Sequence, residues 1–407
     1  MSDIDILPPQ ADLTAPRDAS NRTMPAARAA APLRVALVVE AAGGGVAVHL
    51  TDLIAGLRAR SNVEIHLIAP LGERFDDAML AGAAGQCDGF HRLPLRREVG
   101  LHDLRGALAL RRLLRRLRPD IVHSHSSKAG ALARLCQGPW KQVYTPHAVY
   151  TLNPTLSPAK RMFYGSIERV LGNACSDAVI AVSQDEADHL HALGIARQRI
   201  RLVENGVTPP RLLAGRAARA ALGLAENTFV VGFVGRFDHQ KGVDRLVRVA
   251  RLLDRRYGNR LQVVAIGSGD FGRAAGDEAR DLPMNLHVAG RVDDARRYFS
   301  AFDLLALPSR YEGFPYVCLE AVAAHVPMVA TQVSGATELI AGHRVGLTVP
   351  NHDDPTAFAA MVGRLVDHPA AYGLMREQCT RAYPHFSADA MVDRTLAVYR
   401  DLLKEHA

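Results

Sequence analysis

Ser309-Arg310-Tyr311-Glu312-Gly313-Phe314-Pro315-Tyr316-Val317-Cys318-Leu319-Glu320-Ala321 follows a mostly apolar run, Phe302 to Leu307. That run reads as a buried strand. Gly313 permits a tight turn. Pro315 suits the first position of a helix, where its missing N–H would be unpaired anyway, and the predicted helix extends to Ala324. Strand, glycine turn and helix in succession make the unit of a parallel α/β sheet. Glu312 falls in the loop before the helix, and Glu320 one to two turns inside it. Free N–H groups and the positive end of the helix dipole share an opening with both carboxylates. Either the acids simply offset the dipole, or the opening takes a ligand with both phosphate and hydroxyl groups. A nucleotide-sugar has both: diphosphate for the helix end, sugar and ribose hydroxyls for the carboxylates.

The same alternation runs outward in both directions. Strands are predicted at Arg34 to Glu40, Val63 to Ile68, Ile121 to His125, Gln142 to Pro146, Ala178 to Val182 and Ile200 to Glu204. A second series comprises Phe229 to Val234, Gln262 to Ile266, Leu286 to Ala289, Phe302 to Leu307 and Pro327 to Thr331. Short apolar runs alternating with amphipathic ones predict parallel sheets covered on both faces. The turn Asn205-Gly206 and the stiff Pro209-Pro210 mark a boundary. The expected organisation is a disordered tail over 1–32 and an α/β domain over 33–208. A second follows over 209–383, then a terminal helical segment over 384–407. Two Rossmann-like parallel-sheet domains in series leave a cleft between them, a natural ligand site.

The 407 residues are enough for two such domains. No apolar run reaches the roughly 18 residues of a membrane helix. The Ala- and Pro-rich N-terminus lacks the basic-then-apolar order of a signal peptide, so a cytoplasmic protein is expected. Cys87, Cys136, Cys175, Cys318 and Cys379 show no CxxC spacing and read as reduced core thiols.

Other loops at strand ends carry chemistry. Gly235-Arg236-Phe237-Asp238-His239-Gln240-Lys241-Gly242 opens a helix. Its two cations sit where the dipole disfavours them. An anion would relieve that conflict, and Arg can grip phosphate bidentately; surface cations without a ligand are the other reading. Gly43-Gly44-Gly45 lacks the dinucleotide fingerprint, because Val46, Ala47 and Val48 follow. It is either a flexible loop or a phosphate-approaching one. Gly267-Ser268-Gly269 and Gly290-Arg291-Val292 end two strands of the second series. His125 ends a strand, and His147 follows Thr145-Pro146. Strand carboxyl ends face the crevice, which makes both site candidates, with a structural role as the alternative. No spaced Cys or Asp completes a zinc set with them.

Glu312 and Glu320, with seven residues between them and flanked by Gly-Phe-Pro and Leu-Glu-Ala, resemble the paired-glutamate signature of the retaining glycosyltransferases of family 4, whose fold is the two-domain GT-B type. One departure is Pro315, which removes a backbone donor and leaves Phe314, Tyr316 and Val317 to hold a phosphate. The resemblance implies a donor site of Gly44, Gly45, Arg236, Lys241, Gly267, Arg291, Val292, Glu312, Gly313, Phe314, Pro315, Tyr316, Val317 and Glu320. It also implies catalytic roles for His147, Glu312, Arg236 and Lys241, and an acceptor side of His125, Lys128 and His147. It implies no cofactor and no metal, with a UDP-sugar favoured over GDP-mannose. Ser126-Ser127-Lys128-Ala129-Gly130 resembles bacterial members that build exopolysaccharide or O-antigen repeats, with a lipid-linked glycan acceptor. A GT-B epimerase or phosphorylase, or a non-catalytic nucleotide-sugar sensor, would use the same cleft.

Charge is concentrated between His91 and Arg118, where nine arginines face only Glu98 and Asp103; the whole chain carries +7. Leu104, Leu108, Leu110, Leu114 and Leu117 recur at helical spacing over 102–118 and are expected to pack on the sheet, with the arginines outward. That face is either simply solvated or rests on the anionic inner leaflet, where each basic residue is worth about 1 kcal/mol. Few aromatics are interleaved for base stacking, which disfavours nucleic acid.

Overall fold

The structure, a computed structural model, describes residues 31–40, 44–60, 62–70, 77–93, 102–153 and 155–404. The expected tail lies outside them up to Ala30. The first sheet contains β1 (Leu33–Val39), β2 (Val63–Pro70), β3 (Gly89–Leu93), β4 (Ile121–His125), β5 (Lys141–Thr145), β6 (Ala178–Ala181) and β7 (Ile200–Leu202). The second contains β8 (Phe229–Val234), β9 (Leu261–Ile266), β10 (Leu286–Gly290), β11 (Leu304–Leu307), β12 (Met328–Thr331) and β13 (Gly346–Val349). Their orders are β3-β2-β1-β4-β5-β6-β7 and β10-β9-β8-β11-β12-β13. The paired strands are parallel throughout. These are two doubly wound α/β domains. Central strands such as β1, fully buried from Val35 to Val39, are continuous apolar runs because helices cover both faces.

Two strands escape the sequence pattern, β3 (Gly-Phe-His-Arg-Leu) and β13 (Gly-Leu-Thr-Val), and both are edges. An edge strand pairs on one side only and is largely half-buried here, so its apolar signal is weak. The helix after Glu312 begins at Tyr316, and Pro315 takes the preceding position with extended backbone, one residue later than expected.

The helix Ala388–Lys404 follows the second sheet in sequence but packs on the first. Met391, Val392, Leu396 and Leu402 share a core with Val35, Leu37 and Leu53. Tyr399 from the same helix reaches under β4, its hydroxyl 2.6 Å from His123 Nδ1, while Thr145 Oγ1 lies 2.7 Å from His123 Nε2. Tyr399→Phe strands a buried ring nitrogen. It is expected to cost about 1–3 kcal/mol, read as a lower denaturant midpoint.

The helix His102–Leu117 departs from expectation. Leu110 and Leu114 are buried, but Leu104 and Leu108 are 68% and 48% exposed. At about 100° per residue the two pairs lie roughly a third of a turn apart, and one sheet covers only one of them. Arg105, Arg111, Arg112, Arg115 and Arg116 are exposed. The helix Pro158–Ala174 adds exposed Met162, Phe163 and Tyr164 beside exposed Lys160 and Arg161.

Candidate active site

In each sheet the strand order reverses direction at one place, between β1 and β4 and between β8 and β11. Loops at the carboxyl ends of such strands splay apart and leave a crevice. In the first domain these are the Gly44-Gly45 turn into the helix Gly45–Ala59 and the end of β4 at His125. In the second they are the Gly235–Gly242 loop and the Ser309–Pro315 loop. The two crevices face one another. A β-carbon on Gly45 would lie 2.9 Å from the Tyr316 ring, and one on Gly313 would lie 2.7 Å from Ala148 Cβ. At either place an added side chain would force its neighbour across the cleft to shift.

Lys241 Nζ donates to Glu312 Oε1 at 2.6 Å, and Ser309 Oγ donates to the same oxygen at 2.7 Å. The pair is nearly enclosed, with Lys241 16% and Glu312 7% exposed in their side chains. Lys241 is placed by its loop: its amide donates to Asp238 Oδ1 at 3.0 Å. Arg236 lies at the rim, against Asp238 at 3.1 Å and Gln240 Oε1 at 3.2 Å. Gln240 Nε2 in turn donates to the Tyr311 carbonyl at 3.1 Å. The Arg236–Lys241 loop and the Glu312 loop are therefore stitched together on one side of the domain.

Glu320 is buried on the helix Tyr316–Ala323. Burial pushes its carboxyl up to about 7; Asp294 and Asp52 add to this, while Arg296 and Lys241 oppose it. Arg296 is held to Asp294 at 2.7 Å in the loop after Gly290-Arg291-Val292, so that loop borders Glu320. Arg291 is exposed and Val292 half-buried. Gly267 sits against the Gly235 carbonyl, joining the loops after β8 and β9. The amides of Phe314, Tyr316 and Val317 lie at the helix start, where Cys318 is the first to find an acceptor, the Pro315 carbonyl, at 3.0 Å.

Across the cleft, His125 Nδ1 lies 3.1 Å from His147 Nε2. His49, from the helix Gly45–Ala59, joins them, its ring centroid 4.5 Å from that of His147. Burial lowers all three: His49 to about 4, His125 and His147 well below the usual histidine range. The trio is neutral at physiological pH. Asn205 from the interdomain crossing and the Tyr316 hydroxyl lie 3.2 and 2.9 Å from His49 Nδ1, and Asn205 Nδ2 donates to the Phe314 carbonyl at 3.3 Å. Lys128, on the first turn of the helix Ser127–Leu135, is half-buried. The trio offers ring nitrogens within 4.8 Å of one another, a spacing that could hold a metal ion; among the described residues no carboxylate or thiol is part of the group.

Sequence reasoning did not single out His49, Asn205, Ser309, Asp52 or Arg296. Their only signals are polar residue types beside recognised loops. His49 lies in an otherwise apolar helix stretch, and only the fold reveals where its ring points.

Residues 43–211 match the Glycosyltransferase Family 4 model, and residues 228–368 match Glycosyl transferases group 1. D-inositol 3-phosphate glycosyltransferase 1 of Catenulispora acidiphila is 31% identical over 310 residues, covering 70% of this chain and 73% of that protein. Alpha-maltose-1-phosphate synthase of Mycolicibacterium smegmatis is 28% identical, covering 88% and 95%. Among solved structures, Anabaena HepE in complex with UDP-glucose superimposes with a TM-score of 0.75 at 17% identity, over 90% of this chain and 99% of that one. That likeness speaks to fold, and the fold is GT-B. The chain belongs to the family 4, group 1, glycosyltransferases.

Proposed function

We propose that the protein is a retaining glycosyltransferase that moves a sugar from a nucleotide-sugar, a UDP-sugar before GDP-mannose, to a lipid-linked glycan precursor in cell-surface polysaccharide synthesis. One observation carries the reading: Lys241 paired to Glu312 and buried Glu320 lie at one helix start, facing the first domain's glycine turn and histidines. Arg236, Lys241 and the amides of Phe314, Tyr316 and Val317 receive the diphosphate and stabilise it as it leaves. Glu312 accepts hydrogen bonds from the donor sugar, and Glu320 from the ribose. Gly44, Gly45, Gly267, Arg291 and Val292 line the donor. His147, with His125 and Lys128 beside it, orients the acceptor side. In a front-face step the bond from the anomeric carbon to phosphate breaks and the bond to the acceptor oxygen forms. The departing phosphate oxygen takes the acceptor proton. Two cations and a helix end do the work of a divalent ion.

The test is turnover of UDP- and GDP-sugars with and without acceptors, in the presence of a chelator. Acceptors include polyprenyl-linked glycans and a phosphorylated polyol of the kind named for the inositol-phosphate relatives. Acceptor-dependent transfer that keeps the anomeric configuration and survives chelation is expected. Sugar rearrangement without acceptor would defeat the reading in favour of an epimerase, and binding without turnover on any acceptor in favour of a sensor.

A lipid-linked acceptor is supported by the outer face of the first domain, where exposed arginines of His102–Leu117 lie beside exposed Leu104 and Leu108, and Lys160 and Arg161 beside Met162 and Phe163. No helix among the described residues is long and apolar enough to cross a membrane. The protein is therefore proposed to be cytoplasmic and peripheral at the inner membrane. It is expected to float with anionic vesicles and to lose roughly a thousandfold in binding when Arg111, Arg112, Arg115 and Arg116 become Gln, at about 1 kcal/mol per basic residue near the surface. Unchanged flotation would remove the membrane contact.

A further inference from the structure

His147 and Ala148 both have left-handed backbones, with φ of +56° and +78°. Neither is glycine, and a left-handed residue with a side chain costs about 1–2 kcal/mol. Two in a row persist only where the surroundings hold them. Successive amides bent in this way form a concave donor pair that attracts an anion. The anion here is the side chain of Glu186. Its Oε1 accepts from the amides of Ala148 at 2.9 Å and Val149 at 3.0 Å, and its Oε2 from Val182 at 2.9 Å. Glu186 is fully buried. All three partners are donors, so the carboxylate satisfies each of them and a neutral acid does not.

Both ends of this arrangement are fixed. Glu186 lies in the first turn of the helix Gln184–Ala192, whose start is capped by Ser183. The second domain grips the same turn, because Gln184 and Asp185 amides donate to Glu338 at 2.7 and 2.9 Å. In front, Ala148 abuts Gly313, the residue after Glu312.

We propose that Glu186 is a positioning residue for sugar transfer. It neutralises the Ala148–Val149 amide pair and so keeps His147 turned into the cleft and Ala148 against the turn that carries Glu312. Glu186 touches neither donor nor acceptor. The inference rests on the transferase reading and on the role given to His147.

Glu186→Leu keeps the bulk of the side chain but takes the acceptor away from all three amides. Its kcat is expected to fall roughly 30- to 100-fold, the scale of a small misplacement in an active site. Donor KM should stay within about twofold, because Lys241 and Glu320 are untouched. Amide exchange at Ala148, Val149 and Val182 should accelerate. Adding Ala148→Gly, which adopts positive φ without strain, should return part of the lost kcat. An unchanged kcat, or unchanged exchange at Ala148 and Val149, would overturn the proposal. So would a loss that Ala148→Gly does nothing to relieve, since it would then originate in the helix and not in the loop. A wild type that transfers sugar to no acceptor sinks the transferase reading instead, and exchange at the three amides still decides whether Glu186 holds the loop.

Discussion

Lys241→Met is expected to lower kcat/KM for donor turnover by about 10²- to 10³-fold, the range for losing one group aimed at developing charge in an enclosed site. It should also destabilise the fold, because it leaves the Glu312 carboxylate, 7% exposed, with Ser309 as its remaining hydrogen-bond donor. Breaking a buried pair from one side costs about 3–5 kcal/mol. Two further variants separate these effects. Lys241→Met with Glu312→Gln removes the stranded charge, so stability should largely return while activity does not. Arg236→Met removes a rim cation that is 64% exposed. Its stability should stay within about 0.5 kcal/mol of wild type, the usual range for surface changes, while turnover falls. A Lys241→Met enzyme with wild-type turnover, measured by nucleotide release, would show that the diphosphate goes elsewhere.

Glu320→Gln should make the free protein more stable and the enzyme worse. The Glu320 carboxyl is raised from 4.5 to about 7, chiefly by burial. A raised carboxyl pKa means the fold favours the protonated form. The associated stability is fully present below about 4.5 and is lost as pH rises to about 7. At about 1.4 kcal/mol per unit, the charged form costs the fold about 3 kcal/mol by pH 8. Gln is neutral throughout, so the variant should melt higher at pH 8 and show a flatter melting curve between pH 5 and 7. A ribose that donates two hydroxyls needs the carboxylate. Donor affinity should therefore rise with pH up to about 7 and level off, falling roughly a hundredfold by pH 5. Glu320→Gln should lose that dependence together with most of the affinity. A variant that is less stable at pH 8, or that keeps the wild-type pH profile, would count against a buried carboxylate reserved for ligand.

The fold was legible wherever a strand is covered on both faces, because burial on both sides leaves a continuous apolar run such as Val35 to Val39. It was not legible at β3 and β13, where one neighbour and partial exposure suffice. In the helix His102–Leu117, the leucine spacing resolved a helix but not its packed face, because two leucine stripes compete for one sheet. In the cleft, Glu312 and Lys241 announce themselves as charges at predicted turns beside helix starts, and Glu320 as a charge inside a predicted helix. His49, Asn205 and Glu186 do not. Each acts on a loop far away in sequence, as Glu186 does on Ala148 and Asn205 on the Phe314 carbonyl. The first pairing exists only once the first domain has folded, and the second only once both domains have closed on one another.

The central claim is that cations from one loop and carboxylates from another meet on a single donor in the interdomain gap. A crystal structure with UDP tests it directly. The account predicts the diphosphate within hydrogen-bond reach of Arg236, Lys241 and the amides of Tyr316 and Val317, with the ribose on Glu320. A UDP bound elsewhere, or one whose ribose lies away from Glu320 while its phosphates avoid Lys241, would contradict it.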